Sequence, residues 1–321
     1  MEKNSRILVV GDNDVIENPL TAYLQKSGYS EVVSSSSIRL NVFDQNKVIR
    51  FFKKESPEFV FLGSTRSGGI EANQKFPAEF IHANMSSQNH VVHAAYKYGT
   101  KKLLFVGSSC VYPKESPQPI KEEYLLSGPL EPTSEAYAVA KIAGIKLCQA
   151  YQRQYGFPAI VMIPATIYGP DVAVDLKTAH VMGALIAKFV DAVKKNQRDV
   201  VVWGSGKSRR EFLFAEDFGE AAVFLMNKYD EPEVINAGFG SDVSIEELAE
   251  LISRESGFKG QIVFDKTKPD GVQQKLLDSQ RMRKLGWKPK VNLKTGIART
   301  CQWYAQKAKT PDKRPETSAK F

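Results

Sequence analysis

Short, continuously apolar runs alternate with stretches of helical spacing through the first half of the chain. Residues 6–10 predict a strand, and 15–28 the helix that follows it. A second strand is expected at 31–33, a helix at 47–55 and a third strand at Phe59–Leu62. Residues 77–98 predict a long helix closed by Gly99, 103–106 a strand, 134–155 a helix closed by Gly156, and 159–163 a further strand. Strands without polar alternation are covered on both faces, which suits parallel sheets. Together these elements predict an α/β fold with a doubly wound parallel sheet built from right-handed crossovers. Beyond Pro164 the rhythm loosens. A loop is expected at 171–178, a helix at 179–195, a strand at 200–203, and a helix at 244–256 opened by a capping box, Ser244 with Glu247.

Composition narrows the picture. A chain of 321 residues with 42% apolar and 25% charged positions can bury a sizeable core and reads as an ordinary soluble globular protein. No run approaches membrane-spanning length, and the first residues lack the long apolar region of a signal peptide. Cys110, Cys148 and Cys301 are widely spaced and without metal-ligand pattern, which predicts reduced thiols in a cytoplasm. The net charge of +8 is not gathered into a basic stripe with interleaved aromatics, so nucleic acid is not the expected partner. Part of that charge lies in residues 306–321, a Lys-, Pro- and Thr-rich stretch without apolar periodicity that predicts a basic, mobile tail. The remainder suits an anionic small molecule such as a nucleotide diphosphate.

Candidate chemistry centres on Glu131-Pro-Thr-Ser-Glu-Ala-Tyr-Ala-Val-Ala-Lys141. With Pro132 and Ser134 as opening signals, a helix here puts Tyr137 and Lys141 on one face. A fixed cation beside a phenol of pKa about 10 favours the phenolate and makes it a usable proton donor and acceptor. A surface helix with a snorkelling lysine has the same spacing, so the pair alone does not decide. Upstream, the strand Leu103-Leu-Phe-Val106 breaks into Gly107-Ser-Ser-Cys-Val-Tyr-Pro113. Ligands of open parallel sheets sit outside the carboxyl ends of the strands, where Ser108 is expected.

Gly107-Ser-Ser-Cys-Val-Tyr-Pro-Lys, Leu130-Glu-Pro-Thr-Ser-Glu-Ala-Tyr-Ala-Val-Ala-Lys, Val201-Val-Trp-Gly-Ser-Gly and Lys268-Pro-Asp-Gly occur in this order. In them the chain resembles the GDP-L-fucose synthases of the extended short-chain dehydrogenase/reductase family, from about Arg6 to Tyr304. The resemblance implies a dinucleotide-binding-type domain at 1–165, a partly interleaved nucleotide-sugar domain at 166–305, and a homodimer through the helices 77–98 and 134–155. It implies 3,5-epimerisation of a GDP-4-keto-6-deoxymannose-like sugar followed by NADPH-dependent 4-keto reduction. Cys110 is the implied base and His180 the acid; Ser108 and Tyr137 bond the C4 oxygen, and Lys141 holds the tyrosine and the cofactor ribose. Val181, Leu185, Lys188, Trp203, Arg210 and Lys275 are the implied substrate contacts. Lys188 stands for a family arginine and Thr166 for an asparagine.

The cofactor turn departs from the family. Where Gly-x-x-Gly-x-x-Gly is expected the chain reads Gly11-Asp-Asn-Asp-Val-Ile-Glu17, leaving Gly11 and Asn13 as candidate contacts. Ser34-Ser-Ser-Ser37 stands where arginines for the extra phosphate of NADPH are expected. Carboxylates of Asp14 and Glu17 beside two phosphates are electrostatically adverse and predict weak dinucleotide binding in the usual pose. Two alternatives follow: a redox-independent epimerase with a decayed cofactor site, or a non-catalytic nucleotide-sugar binder.

Overall fold

The structure, a computed structural model, describes residues 1–11, 13–172, 181–268 and 270–307, and for residues 13 and 14 the backbone alone. His180, the loop expected at 171–178 beyond Val172, and the tail from 308 onward lie outside the described residues.

The chain opens with strand β1 (Ile7–Val10) and helix α1 (Asn18–Lys26). The helix starts later than its apolar spacing predicts. Pro19, at its first turn, has no amide hydrogen to continue a ladder from upstream, and Asn13–Glu17 winds instead into a wider π-type turn. Then come β2 (Val32–Ser34), α2 (Gln45–Glu55), β3 (Phe59–Leu62), α3 (Ile70–Lys75), α4 (Pro77–Lys97), β4 (Lys102–Val106), α5 (Glu135–Tyr155) and β5 (Ala159–Pro164). These strands are parallel in the order β2-β1-β3-β4-β5. All residues of β1, β4 and β5 are buried. A sheet covered on both faces has no polar side, which is why its strands read as unbroken apolar runs.

Strand β6 (Thr166–Tyr168), helix α6 (Val181–Lys194), β7 (Asp199–Trp203), β8 (Arg209–Phe214) and α7 (Ala215–Lys228) follow. The chain then returns to add β9 (Ile235–Ala237) as the sixth parallel strand beside β5. Next are β10 (Asp242–Ser244), α8 (Ile245–Ser256), β11 (Gln261–Asp265), β12 (Gln274–Lys275), α9 (Gln280–Lys284) and α10 (Leu293–Lys307). The capping box of α8 forms as expected, Ser244 accepting from the Glu247 amide and Glu247 from the Ser244 amide. A second apolar core, including Met182, Leu185, Phe189, Phe212, Leu248 and Ile297, sits among α6, α8, α10 and β8. Strand β7 alternates exposed and buried residues, because β7 and β11 form a two-stranded sheet with one wet face. No helix among the described residues is long and apolar enough to cross a membrane.

Candidate active site

Two connections set the position of the site. Strand order reverses at β1, with β2 on one side and β3 on the other, so the crevice outside the carboxyl ends of β1 and β3 is the place where doubly wound sheets bind ligands. Gly11 follows β1 there, and Ser64 follows β3 by two residues. A Cβ on Gly11 would lie 3.1 Å from Ile16 Cβ and 3.3 Å from the Ser64 carbonyl oxygen, so a side chain there would push its neighbours a few tenths of an ångström apart.

Helix α5 carries Tyr137 to the same crevice. It can lie against β4 because Gly144 has no side chain: a Cβ there would come within 2.3 Å of the Phe105 ring. Gln88 of α4 donates to the Ala140 carbonyl at 2.8 Å and fixes the helix in place. The Tyr137 hydroxyl meets the Ser64 hydroxyl at 2.6 Å, and its ring packs edge-on to Phe80. One turn on, Lys141 is buried with its ammonium 4.0 Å from the centroid of the Phe105 ring. Burial pushes this lysine down to about 7, the neighbouring Cys148 opposing the shift only in part. At neutral pH Lys141 is therefore poised between charged and neutral.

After β4, Ser108 caps a single turn, Ser109–Val111, by accepting from the Cys110 amide at 3.3 Å. Half-buried Cys110 points its sulfur toward Lys275, whose Nζ lies 3.7 Å away. Burial alone would raise this thiol; the Lys275 ammonium and hydrogen bonds from Ser108, Ser134 and Lys275 outweigh it and hold the thiol below its ordinary value. Ser134 corrects the sequence reading. It makes no capping hydrogen bond at the start of α5, and its side chain serves Cys110 instead.

Arg210 sits directly opposite Lys275 where β8 and β12 pair. Burial lowers its guanidinium, which faces Cys110, Asp270 and Glu131. Its Nη1 donates to the Arg209 carbonyl at 2.8 Å and its Nη2 to the Asp270 carbonyl at 3.5 Å. The Asp270 carboxylate accepts from the Ser205 amide at 2.6 Å and hydroxyl at 2.8 Å, two residues beyond Trp203. Trp203 is 55% exposed and lies between the ammonium groups of Lys188 and Lys268, 5.3 and 5.2 Å from its ring. Lys188 also donates to the Val201 carbonyl at 2.9 Å. Val181 packs against the second core and Leu185 is buried in it. Asp270 was legible as a candidate within Lys-Pro-Asp-Gly, whereas Ser64 and the second role of Ser134 carry no motif.

The cofactor turn differs from its sequence reading. Glu17 is fully buried, and its carboxyl accepts from the Ser35 hydroxyl, the Ser36 amide and hydroxyl, and the Gly11 amide. Its charge is met inside the fold by the serines that replace the expected arginines, so it does not stand free to oppose a phosphate. The Asp14 and Asn13 side chains lie outside the described residues. What is described fits a dinucleotide at the switch point: a narrow turn at Gly11, a phenol, and a buried ammonium left poorly solvated.

Comparison with known proteins bears on these points. Residues 7–238 match the model of the NAD dependent epimerase/dehydratase family. The chain is 46% identical over 306 residues to the putative GDP-L-fucose synthase 2 of Arabidopsis thaliana, covering 95% of this chain and 93% of the relative. The structure of the GDP-mannoheptose C4 reductase MlghC from Campylobacter jejuni with NADP bound superimposes with a TM-score of 0.85 at 34% identity, covering 95% of this chain and 99% of that one. A GDP-L-fucose synthetase from Naegleria fowleri bound to NADP gives 0.87 at 26% identity, covering 97% of each chain. Structures this similar hold NADP, so the degenerate turn is not support for loss of the dinucleotide. The chain belongs to the NAD dependent epimerase/dehydratase family and, within it, to the GDP-L-fucose synthases.

Proposed function

We propose that this chain is a nucleotide-sugar 3,5-epimerase and 4-keto reductase that uses NADPH and acts on GDP-4-keto-6-deoxymannose or a related GDP-sugar. The observation that carries the reading is the meeting, at the carboxyl ends of the parallel strands, of a thiol paired with an ammonium and a tyrosine one turn from a buried lysine. A ketone at C4 acidifies the hydrogens on C3 and C5. Cys110 removes a proton from one face, the electron pair moves onto the C4 oxygen, and His180 returns a proton from the other face. Ser108 and Tyr137 donate to that oxygen while it is negative. Gly11, Asn13, Tyr137 and Lys141 hold the dinucleotide, which supplies hydride to C4 when bound. Tyr137 then protonates the oxygen and is left as tyrosinate, which the charged form of Lys141, titrating near 7, favours until solvent returns the proton to the phenol.

Residues 166–305 form the nucleotide-sugar side of this reading, with 1–165 the dinucleotide side and 306–321 a basic tail. Val181, Leu185 and Trp203 line the base and ribose, Arg210 meets the diphosphate, Lys188 stands in for an arginine, and Lys275 is a further residue of the substrate side. The enzyme is cytoplasmic and homodimeric through the outer faces of α4 and α5, where Tyr96 stacks on the half-exposed Tyr155. The deciding experiment is incubation of the purified chain with GDP-4-keto-6-deoxymannose and NADPH in heavy water. NADPH oxidation with deuterium at C3 and C5 is expected. Deuterium uptake without NADPH oxidation means an epimerase only, and neither event alongside GDP binding means a binder.

A further inference from the structure

Lys275 is held more firmly than a surface contact to substrate requires. Its strand pairs with β8 on one side, with Gln274 opposite Arg209 and Lys275 opposite Arg210. On the other side the next residues are stitched to the loop after β4. The Leu276 amide donates to the Gln118 side chain at 2.9 Å, and the Leu276 carbonyl accepts from the Ile120 amide at 2.7 Å. Then the Leu277 amide donates to the buried Glu211 at 2.9 Å. The backbone carrying Lys275 is thereby locked both to the second lobe and to the loop that begins with Cys110. That leaves the ammonium 3.7 Å from the sulfur without help from any ligand.

We propose that Lys275 is a positioning residue for epimerisation, its ammonium forming a preset ion pair that keeps the Cys110 sulfur as a thiolate. The proposal rests on reading Cys110 as the base. An ordinary thiol of pKa about 8.5 is only a few per cent ionised at neutral pH, and the thiolate is the form that can take a proton. The groups facing the sulfur are the Ser108 and Ser134 side chains, the Lys275 ammonium from β12 and the Arg210 guanidinium from β8. The acids nearest this group, Asp270 and Glu131, act on Arg210. Among the described residues the charged groups acting on the sulfur are the two cations, Lys275 and Arg210, in agreement with the lowered thiol. In the step itself a C–H bond on the sugar breaks, an S–H bond forms and the electron pair goes to the C4 oxygen. Lys275 keeps its protons throughout.

The other two cysteines make the test clean. Cys148 and Cys301 are buried and pushed up to about 12 by that burial, so alkylation of the folded chain reports Cys110. Iodoacetamide labelling of the full chain, followed by peptide mass spectrometry from pH 5 to 10, reads the thiol titration. The wild-type midpoint is expected below the ordinary 8.5. Lys275→Met should raise it by at least about one unit, slowing labelling at pH 7 roughly ten-fold, and Lys275→Arg should restore most of the shift. Circular dichroism checks that each variant is folded, and Lys275→Gln serves if the methionine variant is not. An unchanged midpoint in the folded variant, or a wild-type midpoint at 8.5 or above, overturns the pairing. Deuterium exchange at C3 and C5 should fall in Lys275→Met with its pH midpoint displaced in the same direction. If labelling shifts as expected while Cys110→Ser exchanges deuterium normally, the ion pair stands and the reading of Cys110 as base is lost.

Discussion

The two ends of the crevice treat charge in opposite ways. At the carboxyl end of β4, Cys110 faces cations brought from the second lobe, and its lowered thiol shows that their field reaches the sulfur. At the carboxyl ends of β1 and β2, the Glu17 carboxyl is consumed inside the fold by Gly11, Ser35 and Ser36. At one end a thiol is met by an ammonium, and at the other a carboxyl is met by uncharged amide and hydroxyl donors. An acidic residue in a phosphate-binding turn is therefore not adverse in itself. What counts is whether hydroxyl and amide donors meet it before a ligand arrives.

Breaking the cationic end should have the largest effect. Cys110→Ser replaces a thiol held below its ordinary value by a hydroxyl that does not ionise in this range. Deuterium uptake at C3 and C5, followed by nuclear magnetic resonance, should fall roughly 10²–10⁴-fold. Uptake within a few-fold of wild type would remove Cys110 from the proton transfer.

Tyr137→Phe keeps the ring against Phe80 and deletes the proton donor at the switch point. Turnover of NADPH, read at 340 nm, should drop by about a hundred-fold. Loss of the hydrogen bond to Ser64 should cost folding stability only about 1 kcal/mol. Equal NADPH oxidation by the variant would reassign the reductive proton to another group.

Glu17→Ala tests the other end directly. It removes the acceptor of the buried Ser35 hydroxyl, so urea unfolding should show a loss of about 1–3 kcal/mol, whereas the exposed Ser36 can turn to water. NADPH affinity should stay within about a factor of three, under about 0.7 kcal/mol. A gain of ten-fold or more in affinity would mean that the carboxyl opposes the phosphates after all, and the contrast between the two ends would collapse.

The smallest effect per measured step is a pH slope. Glu211, next to Arg210 on β8, is buried, and burial raises its carboxyl to about 7 despite hydrogen bonds from the Gly240, Leu277 and Phe239 amides. The folded state then holds its proton more tightly than the unfolded chain, whose carboxyl titrates near 4.5. Its contribution is most favourable below about 4.5 and is lost as pH rises toward about 7, by at most about 1.4 kcal/mol per unit. Denaturation at stepped pH should show this slope in the wild type. In Glu211→Gln the slope should be shallower, the remainder belonging to Glu122 and Asp217, whose carboxyls burial also raises; an unchanged slope would mean that Glu211 does not titrate there.

Most of the sheet was legible in the order of residues. Unbroken apolar runs such as Leu103–Val106 in β4 determine strands buried on both faces, and the helices between them, such as the 21-residue α5, leave parallel crossover as the connection. Motif spacing likewise set Tyr137 and Lys141 on one helix face, because that relation is local and repeats every turn. Sequence alone did not determine what each of those groups meets. Ser64 reaches Tyr137 across 73 positions, and Lys275 reaches Cys110 across 165. Glu17 is satisfied by serines in the turn after β2, and Ser134, at the N-cap of α5, gives its side chain to a thiol. Each depends on strand order and on how the two lobes close over the crevice. A pattern of residue types carries the periodicity of its own segment but not the identity of a distant partner, so charge at the site was decided only by the tertiary structure.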